Sequence, residues 1–153
     1  MPADPASDPP TDRTDVEITR TGSGRPHFDV RRRIESPRET VWALLTDTGS
    51  WPDWGPSVRA VEPTNTVIEP NTTGRIRTVG GLWLPFRITD CADYRWTWRV
   101  ARIPATGHRV EALESDTCRV VFEVPLVAAG YIPVCKRALS KIDSLATQVA
   151  TTD

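Results

Sequence analysis

Between His27 and Val124 apolar and polar positions alternate in short runs, and beyond Val134 the apolar period lengthens to three and four. In "HFDVRRRIE" Phe28, Val30, Arg32 and Ile34 share one face and Asp29, Arg31 and Arg33 the other, the pattern of a half-buried strand. "SPRETVWALLTD" then marks a helix start. Ser36 reads as the N-cap, Pro37 as the first helical residue and Glu39 as the partner in a capping box; Val41, Trp42, Leu44 and Leu45 follow as an apolar stripe. Further strands are predicted at 58–63, 74–80, 83–90, 94–100, 107–113 and 118–124, and their short connections, "ESDT" among them, predict an antiparallel meander. Val134, Cys135, Ala138, Leu139, Ile142, Leu145, Ala146 and Val149 predict a long amphipathic helix, which Pro133 starts, or kinks if it begins near Leu126.

This order predicts an α+β fold. A twisted antiparallel sheet with one apolar face must cover that face, and the last helix is the only element long enough to do so. Residues 1–24 are rich in Pro and Asp and nearly devoid of large apolar side chains, so they are expected to form a disordered acidic tail. A weaker reading gives Val16 and Ile18 a short strand. The folded domain is then 25–150. Within it, "DTGSWPDWGPSV" is expected to end the first helix at Asp47, turn at Gly49 and form a short second helix or turn up to Trp54. Trp51 and Trp54 are expected to be architectural, one sealing the core and the other facing a cavity mouth.

The stretch "IESPRETVWALLTDTGSWPDWGPSVRAVEP" resembles the opening of the START-like, polyketide cyclase/dehydrase superfamily (SRPBCC), with its strand, "SP" turn, "VW" on the first helix and following "W..W.P". The later "LPFRITDCADYRWTWRV", "GHRVEAL", "CRVVFEVP" and "ALSKIDSLA" are similar to it as well, so the likeness runs from 27 to 147. The resemblance implies a helix-grip fold with a cavity between sheet and C-terminal helix. It also implies a range of roles, from lipid carriage to aromatase/cyclase activity, and so specifies fold better than function.

Composition narrows the chemistry. A chain of 153 residues suits one core, and a net charge of −1 offers no global field for nucleic acid or membrane. No secretory segment or membrane span is expected, and three widely spaced cysteines suit reduced thiols, so a cytoplasmic location is expected. His27 and His108 lie far apart and the cysteines lack paired spacing, so neither a metal nor another cofactor is expected. No nucleophile motif is present, and Cys135 is a weak covalent candidate against the reading of an inert buried thiol.

The inner face supplies the candidate site. The expected ligand-binding set is Trp54, Phe86, Ile88, Trp96, Trp98, His108, Val110, Phe122, Tyr131, Cys135 and Leu139. A closed aromatic core explains these residues on their own types; the resemblance favours a cavity for a small hydrophobic, polyketide- or lipid-like molecule. His108 and Arg32 are the catalytic candidates, the first as a proton carrier and the second as an oxyanion partner. No partner acid is identifiable for His108, so a histidine satisfied by a neighbour is favoured. Tyr94 and Tyr131 are possible hydroxyl donors. Three functions therefore compete: a binding module, a cyclase, dehydratase or aromatase in the same cavity, and an interaction protein using the outer sheet face. On that face Arg31, Arg33, Arg75, Arg77, Arg87, Arg95, Arg99, Arg109 and Arg119 are opposed by Asp29, Glu111 and Glu123. Cross-strand pairing is the favoured reading there; docking to an acidic partner is the other, and the lack of stacking aromatics argues against specific nucleic acid.

Overall fold

The computed structural model describes residues 14–19 and 25–151. Its elements in chain order are β1 (Thr14–Thr19), β2 (His27–Ile34), α1 (Arg38–Thr46), α2 (Trp51–Trp54), β3 (Val58–Pro63), β4 (Thr73–Thr78), β5 (Trp83–Ala92), β6 (Arg95–Val100), β7 (Ile103–Pro104), β8 (Gly107–Glu114), β9 (Thr117–Pro125) and α3 (Ile132–Thr151). A 3-10 turn spans Thr48–Ser50 and another Leu126–Tyr131. The strands form one antiparallel sheet in the order β1-β2-β9-β8-β6-β5-β4-β3, with β7 paired to β6. α3 lies against β2 and β9 and touches α1 and α2. It buries Cys135, Ala138, Leu139, Ile142 and Ala146 in the same cluster as Val30, Ile34, Val120 and Phe122. This is the helix-grip arrangement, and the three-four period of α3 is what allows one helix to cover the sheet.

Two expectations need correction. Residues 14–19 form an edge strand within the segment expected to be disordered, because β2 offers a free edge and Asp15 and Glu17 both reach Arg31. The rest of the expected tail, 1–13 and 20–24, lies outside the described residues. Ser36 is not the N-cap of α1. Pro37 holds that position with ψ 147°, its carbonyl accepts the first helical bond from Thr40, and the buried Ser36 hydroxyl has no hydrogen-bond partner. The capping box therefore does not form.

The two tryptophans of the α1–α2 segment are both buried. The Asp47 carboxylate accepts from the Gly49 N–H at 2.9 Å and shapes the turn between the helices. The Trp51 indole N–H then donates to the Leu45 carbonyl and that of Trp54 to the Leu44 carbonyl, each at 2.9 Å. These carbonyls belong to the last turn of α1 and have no helical donor of their own. The indoles thus close the helix end while their rings enter the core.

Candidate functional site

Strand register builds an aromatic wall. Trp96 on β6 pairs with His108 on β8, and His108 with Phe122 on β9. Trp51 inserts from α2 and stacks on Trp96 at 5.3 Å between centroids and 5° between planes. Trp96 also stacks on His108 at 3.8 Å and 17°. The Thr106 hydroxyl lies 3.4 Å from the Trp98 indole nitrogen and 3.1 Å from His108 Nε2. An assignment in which Trp98 donates to Thr106 and Thr106 donates to Nε2 serves all three atoms and puts the proton of the neutral imidazole on Nδ1.

Burial pushes the His108 pKa down to about 3, and the nearby Arg95 charge acts in the same direction. A buried neutral imidazole carries no proton between solution and a ligand near neutrality. The unfolded chain takes up that proton near pH 6.5 and the folded chain does not, so folding stability falls as the pH drops from there towards 3, by about 1.4 kcal/mol per unit for this group. Urea titrations from pH 7 to 4 should show a shallower loss for His108→Gln than for the parent; identical slopes would mean the imidazole is protonated in place.

Trp51 changes the expected cavity. A crevice of only about 40 Å³ remains between the aromatic wall and α3, room for a water but not for a ligand. Of the expected ligand-binding residues, Trp54, Trp96, Trp98, His108, Phe122, Tyr131 and Cys135 line it. Phe86, Ile88, Val110 and Leu139 line neither it nor the larger cavity described next; they are buried in the closed core. The reason is steric: the Trp51 ring sits 5.5 Å from the Phe86 ring and fills the space over that part of the sheet.

A second cavity, of about 360 Å³, opens towards the end of the sheet. Its existence follows from two local features. β6 pairs with β8 only at Arg95–Arg109 and Trp96–His108, then diverges, and the returning segment through β7 fills the gap with Pro104, Ala105 and Thr106. On the helix side α3 has not yet begun, and the 3-10 turn covers the sheet with Ala128 in place of a larger residue. The walls are apolar, with Val58, Ile76, Leu84, Trp98 and Val100 among them, and the hydroxyls of Ser57, Thr78, Thr106 and Tyr131 are the polar side-chain groups. Ser57 and Tyr131 hydrogen-bond to each other and line both cavities, so they stand at the junction of crevice and outer space. Alternation missed this cavity because it assigns faces, not depth. Its one sequence signal is the run of small residues in "VAAG" and "PATG".

The remaining candidates are elsewhere. Arg32 lies outside both cavities; its Nε donates to the Asp143 carboxylate at 2.8 Å and ties β2 to α3. Tyr94 sits in the β5–β6 turn at the opposite end, with Arg38 stacked 3.7 Å over its ring. Burial pushes the Cys118 thiol up to about 11 and the Cys135 thiol up to about 12, so neither is a ready nucleophile. Among the described residues no cluster of His, Cys, Asp and Glu is placed to hold a metal.

The outer face pairs its charges across strands. Arg95 grips Glu123 through two nitrogens, Arg109 reaches both Glu123 and Asp29, and His27 Nε2 lies 2.9 Å from Asp29. Gly107 lies opposite Glu123 in the pairing of β8 with β9, where a Cβ would meet the carboxylate at 3.0 Å, so glycine leaves room for it. Arg31, Arg33, Arg75 and Arg119 have carboxylate partners too. Cross-strand pairing therefore accounts for most of the arginines that suggested an acidic partner.

With this geometry in place, the comparison with known families is decisive for the fold. Residues 25–142 match the model of the family described as polyketide cyclase / dehydrase and lipid transport. The chain belongs to that family. Solved structures agree on the architecture. The Zhui aromatase/cyclase from Streptomyces sp. R1128 superposes with a TM-score of 0.64 at 14% identity, over 80% of this chain and 93% of its own. Protein XoxI from Bacillus cereus gives 0.63 at 18% identity, over 81% and 97%. Protein Ms6760 from Mycobacterium smegmatis gives 0.59 at 15% identity, over 89% and 98%. No curated protein matches in sequence. At these identities the structural likeness speaks for the fold alone.

Proposed function

We propose that the protein binds a small, largely apolar molecule in the outer cavity, with the apolar body against Leu84, Trp98 and Val100 and one polar group at the Ser57–Tyr131 pair. The observation that carries this reading is the cavity itself: about 360 Å³, apolar in its walls and with a few hydroxyls among them, which falls within the roughly 300–1,000 Å³ of small-molecule sites. Membership of a family whose description includes lipid transport supports the same ligand class. Binding is favoured over turnover at His108, because that imidazole is held neutral, stacked and hydrogen-bonded to Thr106 inside the protein.

The test is native mass spectrometry of freshly purified protein for a co-purifying small molecule, followed by titration of that molecule against tryptophan fluorescence, which Trp98 should report. Val100→Trp places an indole in the cavity from a half-buried strand position. It should weaken binding at least about tenfold while the melting temperature holds. Unchanged affinity in that variant would move the ligand out of this cavity.

A further inference from the structure

The mouth of the outer cavity is ringed by exposed apolar side chains. Thr78 and Val79 where β4 enters its turn to β5, Pro104 and Ala105 where β7 leads on towards β8, and Ala128 from the 3-10 turn all line the cavity, so these chain reversals meet at one end of the sheet. Their tips carry Leu82, Ile103 and Val127, which are 63%, 67% and 100% exposed. Val79 and Leu126 are exposed beside them. Isolated surface leucines and valines are ordinary, but apolar tips on three converging loops around an apolar opening are not.

Charge is segregated along the same axis. Arg77 at the end of β4, Arg99 at the end of β6 and Arg102 next to Ile103 are exposed, and among the described residues none of them forms a salt bridge. The hydrogen bond recorded for the Arg99 guanidinium goes to the Arg102 carbonyl. This contrasts with the paired arginines on the rest of the outer face. The acidic side chains of Glu69, Asp90, Asp93, Glu114 and Asp116 lie in or beside turns at the other end of the strands. The cavity end is therefore apolar at its tips and cationic behind them.

We propose that this end docks on an anionic lipid bilayer, with Leu82, Ile103 and Val127 entering the interface and Arg77, Arg99 and Arg102 meeting lipid phosphates. The arrangement matches the layering of a bilayer surface, where anionic headgroups lie outside the acyl region. Docking here sets the cavity mouth against hydrocarbon, which gives an apolar ligand a path that avoids water. No helix of the described residues is long and apolar enough to cross a membrane. The docking surface is independent of whether the cavity holds a ligand.

The test is flotation of the full chain with vesicles of phosphatidylcholine alone and of phosphatidylcholine and phosphatidylglycerol in equal parts. The protein should float with the anionic vesicles at low salt and much less with the neutral ones, and raising the salt to about 0.5 M should release it. Arg99→Glu with Arg102→Glu should weaken binding at least about tenfold, since each basic residue near such a surface contributes about fivefold. Leu82→Asp with Val127→Asp should abolish flotation with an unchanged melting temperature, because both side chains are already in solvent. Val100→Trp should float like the parent, which separates docking from occupancy of the cavity. Absence of flotation at low salt overturns the proposal, and so does flotation that survives the Leu82 and Val127 changes; the first result would assign the patch to a protein partner.

Discussion

Trp51→Ala will cost about 3–5 kcal/mol of folding stability, the range for large aromatic deletions in a core. Trp51 is 2% exposed and is the piece of α2 that closes the sheet. Its ring stacks on Trp96, meets Phe86 at 5.5 Å and meets Trp98 edge-on at 5.4 Å. Deletion removes the transfer free energy of the indole, leaves a void the stacked neighbours cannot refill, and strips the Leu45 carbonyl of its donor. The vacated space would also join the 40 Å³ crevice, because Trp51 lines it. Trp51→Phe keeps the apolar ring and loses the hydrogen bond, so its cost should be nearer about 1–2 kcal/mol. Urea unfolding of the two variants measures both numbers. A loss below about 1 kcal/mol for Trp51→Ala would show that the ring belongs to a mobile wall of a ligand site and not to the core.

The contrast between Trp51 and the outer cavity shows what a sequence makes legible. Alternation located β2 to β6, β8 and β9 to within a few residues, because a sheet with one buried face forces a period of two on its side chains. The three-four period did the same for α3. Which inward residues touch a cavity is a question of depth, decided by elements from elsewhere in the chain. Phe86 and Ile88 point inward as expected, yet Trp51 arrives from another element and closes the space over Phe86. The open space lies instead where the aromatic wall ends, under Ala128 and beside Ala105, residues without any reactive group to draw attention. Capping failed for a different reason. Ser36 and Glu39 have the right spacing, but Pro37 adopts the extended geometry of a cap itself and displaces the serine by one residue. β1 was hard to see because Val16 and Ile18 remain exposed on an edge, where burial imposes no strong pattern. The family likeness carried the fold across these local errors, since it rests on the order of elements and the placement of tryptophans.

Arg109→Ala will destabilise the protein by about 3–5 kcal/mol, the cost of leaving buried charges without their partner. The guanidinium donates to Asp29 at 2.8 Å and to Glu123 at 2.8 Å, and both carboxylates are about 95% buried. His27 and Arg95 hold the outer ends of this line, so removing Arg109 breaks it in the middle and leaves two carboxylates facing each other across the paired residues Asp29 and Glu123. Arg109→Lys keeps one charge but cannot reach both carboxylates with a fork, and should recover only part of the loss. The same network fixes a pH dependence. Burial alone would raise the Glu123 pKa, but hydrogen bonds from Arg95 and Arg109 outweigh it and hold the carboxyl below its usual value. The stabilisation is then complete above the pKa of the unfolded chain, near 4.3, and is lost as the pH falls through the lower folded value. Glu123→Gln should therefore lower stability at pH 7 and make it less sensitive to acid below about pH 4.3. Equal stability of Arg109→Ala and the parent in urea would mean that water reaches the two carboxylates, and the sheet would then be held by its inner face alone.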